Sequence, residues 1–502
     1  MKRVLVLGLF LSSVMLSAQE KVKEVVSADY NRNSVSYVFV ERNQQHAADV
    51  NEFYNNLVVE EKFDHNKIAT KMLGVNHTDA AATVEDVTAA VTSANLGKEV
   101  ISFIFNRKED GTFDDALLLQ RGLYDAKDQD IKNAGAAKVK DQSYEWGEKL
   151  VNNSYVVVLD IYNTEVKNSE KGTTYLVQAN AHAYKLDGSK EVVDNFYATA
   201  WADASMAEAD KAKAVAAFDA MTFDFAHVAT VSVMGTSSTT KLTTGSIYRA
   251  CQSAYESVVY NLEKAIPAWQ VATPVVSIKP IAAKIGKKEG LKNGDRYQAY
   301  SYKEDKDGEL ESVKRGMVRA TVISQNDTVA TGETEPSFFY QISGAGNIQE
   351  GYTLKQKNDL KLGATLSLGA LANGSGACFR AGLDFDYIAH IGKKGGITYG
   401  LLNVGILPGF ASVPVYDASV GVGYGLPISR FFEITPLVMG GTYMLNFGEK
   451  FETYGYFAEP AVRLAATFQP LSIGATLGAH AGIFGVDPIA AFVAKFNIKW
   501  TF

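Results

Sequence analysis

The strictest pattern in this chain is the alternation of its last fifteen residues, Pro488 to Phe502. Ala490, Phe492, Ala494, Phe496, Ile498, Trp500 and Phe502 take the even positions; Ala491, Val493, Lys495, Asn497, Lys499 and Thr501 take the odd ones. Successive strand side chains point to opposite faces, so one face is apolar and aromatic-rimmed while the other carries both lysines. Alternating segments begin at about Leu360, and the expected strands lie near 361–372, 378–391, 397–407, 416–427, 431–446, 455–468, 471–485 and 488–502. In the first, Leu362, Ala364, Leu366, Leu368 and Ala370 oppose Lys361, Thr365 and Ser367. In the second, Phe379, Leu383, Phe385 and Tyr387 oppose Arg380, Asp384 and Asp386. The third, with Leu401 and Leu402 adjacent, leaves its parity open.

Energy assigns the faces. A Lys or Arg facing lipid at mid-membrane costs about 2–4 kcal/mol, so the charged parity of a membrane-spanning barrel faces its lumen. That places Arg380, Asp384, Asp386, Glu433, Glu459, Arg463, Lys495 and Lys499 inside. Eight strands enclose a cylinder that side chains just fill, and an isolated buried ion is costly, so opposite charges are expected to pair. The expectation is a plugged barrel. Gly392–Gly396, Ser429-Arg430 and Gln469-Pro470 are tight connections at one end, as on the periplasmic side of such barrels. With an even strand number both barrel termini face that side. The outward connections, such as Ala372–Gly376 and Pro408–Val415, are also short.

The start of the chain agrees with export. Met1-Lys2-Arg3 is a basic n-region, Val4 to Met15 an apolar h-region, and Ala18-Gln19 a cleavage site, so residues 1–18 read as a signal peptide. No Cys follows the h-region, which is not the pattern of a lipoprotein. No later stretch approaches the roughly 18 uninterrupted apolar residues of a membrane helix. A net charge of −7 argues against a nucleic-acid partner. The two cysteines, Cys251 and Cys378, are too few for a disulfide scaffold and are expected on opposite sides of the membrane.

Residues 19–268 read as an α+β periplasmic domain. Strand-like runs are Val35–Val40, Val100–Phe105, Tyr155–Ile161, Thr174–Tyr184, Phe196–Trp201 and Val228–Met234; helix-like runs are Ala47–Phe63, Asp203–Phe218 and Ser246–Lys264. In the last, Ile247, Cys251, Tyr255, Val258, Val259 and Leu262 share one face, as in a core-packed helix. Residues 269–358 form a small β module, marked by the glycine-spaced phrase Ile285 to Tyr297. The barrel itself covers 359–502.

Eight strands, tight turns at one end, a charged lumen and a terminal Trp500-Thr501-Phe502 resemble the small OmpA/OmpX class of bacterial outer-membrane proteins over residues 360–502. That resemblance implies a non-enzymatic outer-membrane barrel, with Trp500 and Phe502 as the C-terminal signal read by the barrel assembly machinery. Here the soluble region precedes the barrel, and nothing looks like the peptidoglycan-binding motif of the OmpA proteins. The phrase at 285–297 resembles SH3-like modules of envelope proteins, such as the last domain of the flagellar assembly T family; that implies a docking module.

Chemistry is sparse. His46, His65, His77, His182 and His227 do not recur at metal-ligand spacing, and no phosphate-binding loop or nucleophile elbow occurs. His390 and His480 read as polar barrel residues, since Ser472 and Thr476 lie roughly 13–27 Å from His480 along the strand. No catalytic residue, cofactor or metal is expected. The expected partners are outer-membrane lipid, the assembly machinery and a periplasmic or envelope protein. The expected function is an outer-membrane anchor for periplasmic protein-binding modules. A small pore, a membrane-embedded enzyme and a surface adhesin are the alternatives.

Overall fold

The computed structural model describes residues 32–501 apart from 61, 76–79, 119–135, 171, 242, 305–309, 327–334, 358–360, 373–376, 389–396, 408–414, 447–450 and 469. The expected signal peptide, His77, His390 and Phe502 lie outside the described residues.

The N-terminal region runs β1 (Ser34–Val40), α1 (Ala47–Asn55), β2 (Asp64–His65), β3 (Met72–Leu73), α2 (Val84–Ser93), α3 (Leu96–Ile104), α4 (Ala136–Asn152), β4 (Ser154–Ser169), β5 (Gly172–Leu186), α5 (Lys190–Asn195), α6 (Glu208–Ala220), β6 (Phe225–Thr239) and α7 (Ile247–Ala265). The sheet order is β2-β1-β4-β5-β6, with β3 also on β1. β1 runs parallel to β2, β3 and β4, while β4, β5 and β6 are antiparallel. Every residue of β1 is buried, because both faces of the sheet are covered. Alternation along β1 feeds two cores. Val35, Tyr37 and Phe39 join α1 and α7 residues such as Phe53, Cys251 and Val258. Val38 and Val40 join Val87, Val100 and Ile104 of α2 and α3. α7 starts where Ser246 Oγ accepts the Arg249 N–H at 3.2 Å. It sits close on β6 at Gly235, where a Cβ would lie 2.0 Å from the Ala250 carbonyl oxygen.

Several sequence expectations are corrected here. Val100–Phe105 belongs to helix α3, because Leu96, Val100, Ile101 and Ile104 recur at helical spacing. Phe196–Trp201 is a π turn continuing α5; its aromatic rings pack on Phe105 and Phe113, so tertiary packing overrides their strand preference. α1 stops at Asn55, well before Phe63. Asp203 caps a turn, its carboxylate accepting from Ser205 at 2.8 Å, and α6 starts only at Glu208.

The middle module is a closed barrel of β7 (Ala272–Ile278), β8 (Ile281–Ala283), β9 (Arg296–Glu304), β10 (Leu310–Val322), β11 (Ser337–Ser343) and β12 (Thr353–Gln356), in the order β10-β11-β8-β7-β12-β9. Gly290 and Gly294 take positive φ, 70° and 89°, the conformation that the glycine-spaced phrase accommodates. Glu289 is buried within that phrase and accepts from the Gly286 N–H and the Asn326 amide.

The C-terminal region is a closed antiparallel barrel of β13 (Leu362–Ala372), β14 (Ala377–Ile388), β15 (Ile397–Leu407), β16 (Val415–Pro427), β17 (Phe432–Asn446), β18 (Phe451–Phe468), β19 (Leu471–Phe484) and β20 (Asp487–Thr501), each paired with its sequence neighbours, and β20 with β13. β18 starts four residues before its expected position. The parity of β15 resolves with Tyr399 and Leu401 inside and Leu402 and Val404 outside.

Candidate functional site in the barrel lumen

The outside of the eight-stranded barrel carries Leu366, Leu368, Phe379, Val404, Val420, Val422, Val438, Leu464, Phe492 and Phe496, all exposed. The opposite parity carries Arg380, Asp384, Asp417, Glu433, Glu459, Arg463, Lys495 and Lys499, none of them exposed. This is the reverse of a soluble barrel and fits a hydrocarbon surround.

The lumen has three storeys. At the end away from the middle module, Leu371, Cys378, Leu407, Val415, Leu445 and Val493 form a buried apolar cluster. Beneath it lies a storey built on Glu459 of β18. Arg380 Nη1 donates to Glu459 at 2.8 Å, and its Nε donates to Asp417 at 3.0 Å. Lys495 donates to the second Glu459 oxygen. His480 Nδ1 donates to Glu459 at 3.1 Å, which leaves Nε2 to accept from the Tyr443 hydroxyl. The Arg380 guanidinium also lies 5.3 Å from the Phe457 ring centre.

The third storey, nearest the middle module, centres on Asp384. Arg463 donates to it at 2.7 Å, and Lys499 lies 3.1 Å from the same oxygen. Both cations lean on Tyr399, at 5.4 and 4.1 Å from its ring centre. Glu433 accepts from Tyr399 at 3.1 Å and from Thr435 at 3.0 Å. Four cations (Arg380, Arg463, Lys495, Lys499) thus meet four carboxylates (Asp384, Asp417, Glu433, Glu459) among the described lumen side chains. Such buried charges persist only where geometry and hydrogen bonds offset desolvation.

Seven of the eight lumen residues named from sequence are described, and they separate into these two charged storeys. The side chain of Asp386 lies outside the described part of the chain. Trp500 points outward at the module end of β20, opposite Ala364 and Leu471. Sequence reasoning missed Asp417, Tyr399 and Tyr443. The alternation of β16, with Asp417, Ser419 and Gly421 against Ala418, Val420 and Val422, carries the signal that finds Asp417.

Tyr443, His480 and Glu459 stand in the order of an acid–base relay. All three are fully enclosed, and Glu459 is already saturated by two cations, so the arrangement binds charge and offers no substrate face. Among the described residues no cluster of His, Cys, Asp and Glu could hold a metal ion. Both thiols are free and buried. Burial pushes the Cys251 thiol up to about 12, which leaves it unreactive at neutral pH.

Fold and inverted polarity together define an outer-membrane-type β-barrel protein preceded by two further folded units. Among solved structures the chain is similar to the N-terminal β-barrel domain of Pseudomonas aeruginosa OprF, with 9% identity over 28% of this chain and 96% of that one and a TM-score of 0.21. It is similar to the Yersinia pestis outer membrane protein Ail, with 11% identity over 28% and 99% of the two chains and a TM-score of 0.19. The outer membrane channel DcaP of Acinetobacter baumannii gives 8% identity over 66% and 86%, with a TM-score of 0.16. No family model and no curated protein matches the chain. The barrel itself is established by its own strand pairing.

Proposed function

We propose that this is a non-enzymatic protein of the outer membrane of a Gram-negative bacterium, whose filled barrel anchors the two preceding units on the periplasmic side as a docking platform for another envelope protein. The observation that carries this reading is the covered mouth of the barrel. Lys361 pairs with Asp295 of the middle module at 2.7 Å, and Arg430 of the β16–β17 turn donates to Asn347 at 2.7 Å and to the Ala345 carbonyl at 3.1 Å. A barrel with charge-filled storeys, an apolar far end and a module over its near end has the build of an anchor. The tight Ser429-Arg430 turn at the module end supports a periplasmic location for that end.

Two measurements on intact cells test it. Added protease should leave the N-terminal units whole until the outer membrane is permeabilised; cleavage without permeabilisation would place them outside and end the reading. Site-specific photo-cross-linkers placed in 269–358 should then capture a discrete envelope protein, and uniform absence of adducts would remove the docking claim while leaving the anchor.

A further inference from the structure

The N-terminal sheet ends on one side at β6, and that edge is built unlike the other. A sheet edge offers unpaired N–H and C=O groups to any extended chain, and proteins blunt it with short strands, charges, proline or a covering segment. The opposite edge is blunted in this way: β2 and β3 are two residues each, and β2 is Asp64-His65. Where β4 runs on past β1 it carries Glu165 and Lys167, and Gln44 donates to its Ile161 carbonyl at 2.8 Å. The other two sheets close into barrels. β6 is 15 residues long, contains no Lys, Arg, Asp, Glu or Pro, and pairs with β5 alone. Its one register shift falls near its start, at Val228. Among the described residues, the backbone of β6 has one hydrogen-bond partner outside the β5 ladder, the Thr243 hydroxyl at the Ser238 carbonyl.

The side chains along this edge are close to self-complementary. Ala229, Val231 and Val233 lie on the α7 side with the core, the two valines only partly covered. Thr230, Ser232, Met234 and Thr236 lie on the other face and are exposed, Met234 at 59%. An antiparallel copy centred on Ser232 sets Val231 against Val233 on both sides of the centre, which extends the cover over the two half-buried valines, and sets Thr230 against Met234. No charge then meets a like charge within the strand. The charges flanking β6 fit the same arrangement. Asp224 precedes the strand and Lys241 follows it, and both are exposed. A two-fold axis at Ser232 brings Asp224 of each copy to the end where Lys241 of the other stands. Two-fold interfaces use one patch on both subunits, and a strand with opposite charges at its two ends meets that condition in antiparallel order.

We propose that β6 is the pairing edge for a second copy of this chain, joined antiparallel about Ser232 so that the two N-terminal sheets become one. Main-chain hydrogen bonds supply the affinity of such strand addition, and pockets for alternate side chains supply selectivity for a foreign strand. The exposed row of Thr230, Ser232 and Thr236 offers small hydroxyls in place of pockets, which suits the matching row of a second copy. This pairing is independent of the docking role of residues 269–358.

The test uses the purified full-length protein in neutral detergent. Native mass spectrometry and light scattering should give the mass of a dimer at roughly 10 μM. S232C should form an intermolecular disulfide on mild oxidation, because the two-fold sets position 232 against itself, with facing Cα atoms about 4.5–5.5 Å apart and within disulfide reach. The native thiols are buried, and A204C, exposed in the turn before α6, is the control and should stay unlinked. S232K and S232E should each weaken the dimer roughly tenfold or more by setting like charges opposite, and an equimolar mixture of the two should restore it. That restoration separates lost pairing from lost folding. Wild-type protein that stays monomeric up to roughly 100 μM overturns the inference, and so does a dimer that S232K leaves intact or an S232C that links no faster than A204C. A photo-cross-linker at position 232 that captures a different envelope protein in cells, while the purified protein stays monomeric, gives the edge to that protein and ends the self-pairing.

Discussion

Glu459 accepts from Arg380, Lys495 and His480 at once, so one carboxylate balances most of the charge in the storey farther from the middle module. Its replacement by Gln keeps the shape and removes the charge, which leaves two buried cations sharing Asp417 alone. Breaking a buried pair in this way costs about 3–5 kcal/mol. E459Q should therefore unfold at clearly lower urea concentration than wild type in lipid vesicles, read by the heat-modifiable gel shift of the barrel; an unchanged midpoint would mean that the network is not what holds the storey together. His182 carries a different prediction, for the N-terminal sheet. It is buried against Thr230, and desolvation first, then the neighbouring His227, lowers its pKa below the usual 6.5, against the opposing pull of Asp160. The folded state therefore binds the proton less well than the unfolded state. The sheet keeps the full contribution of neutral His182 above about pH 6.5 and loses it as pH falls from there through the lowered folded value. Denaturant midpoints of the N-terminal units between pH 7.5 and 5 should fall with acidity, and H182N should flatten that slope.

At the scale of the element, strand parity makes the sharpest prediction. Val420 of β16 faces outward in the middle of the belt and is 63% exposed, whereas Val486 sits in the β19–β20 turn. V420K should cost about 2–4 kcal/mol in a bilayer and V486K about 0–1, because the penalty for Lys falls with distance from the midplane. Refolding into vesicles, followed by urea titration, separates them; equal midpoints would place Val420 off the lipid face. This same contrast of faces is why the barrel strands could be read from sequence. A strand wetted on one side and apolar on the other writes its register directly into the chain. Where both sides are alike the signal fails. Residues 451–454 of β18 are all exposed, and the alternation of that strand begins only at Gly455. Val100–Phe105 is apolar almost throughout, and its helical period emerges only when Leu96 is counted. For the lumen, sequence gives the side on which Arg380 and Glu459 lie but not that they meet across 79 residues. That contact depends on how the strands tilt as the barrel closes, which no single strand records.

At the scale of the molecule the question is whether anything passes through. Starting from the far end, a particle meets the apolar cluster around Leu371 and Leu407, then the Glu459 storey, then the Asp384 storey, and finally the small barrel held over the mouth by Lys361 and Arg430. An eight-stranded barrel leaves room for side chains and little more. A permeating ion would have to displace Arg380 or Lys495 from Glu459 inside a medium where each unpaired charge is costly. We therefore expect the full-length protein, reconstituted in planar bilayers at neutral pH, to add no stepwise conductance above the leak of the bare membrane. Steps that scale with salt concentration would show that the storeys open, and the anchor reading would give way to a small pore. E459Q sharpens the measurement. If the network is the barrier, loosening it should raise the frequency of brief openings even while wild type stays silent. If both stay silent, the apolar far end or the module over the mouth suffices as the seal, and L371G combined with L407G, which thin the apolar end while leaving every ion pair in place, tells the two apart.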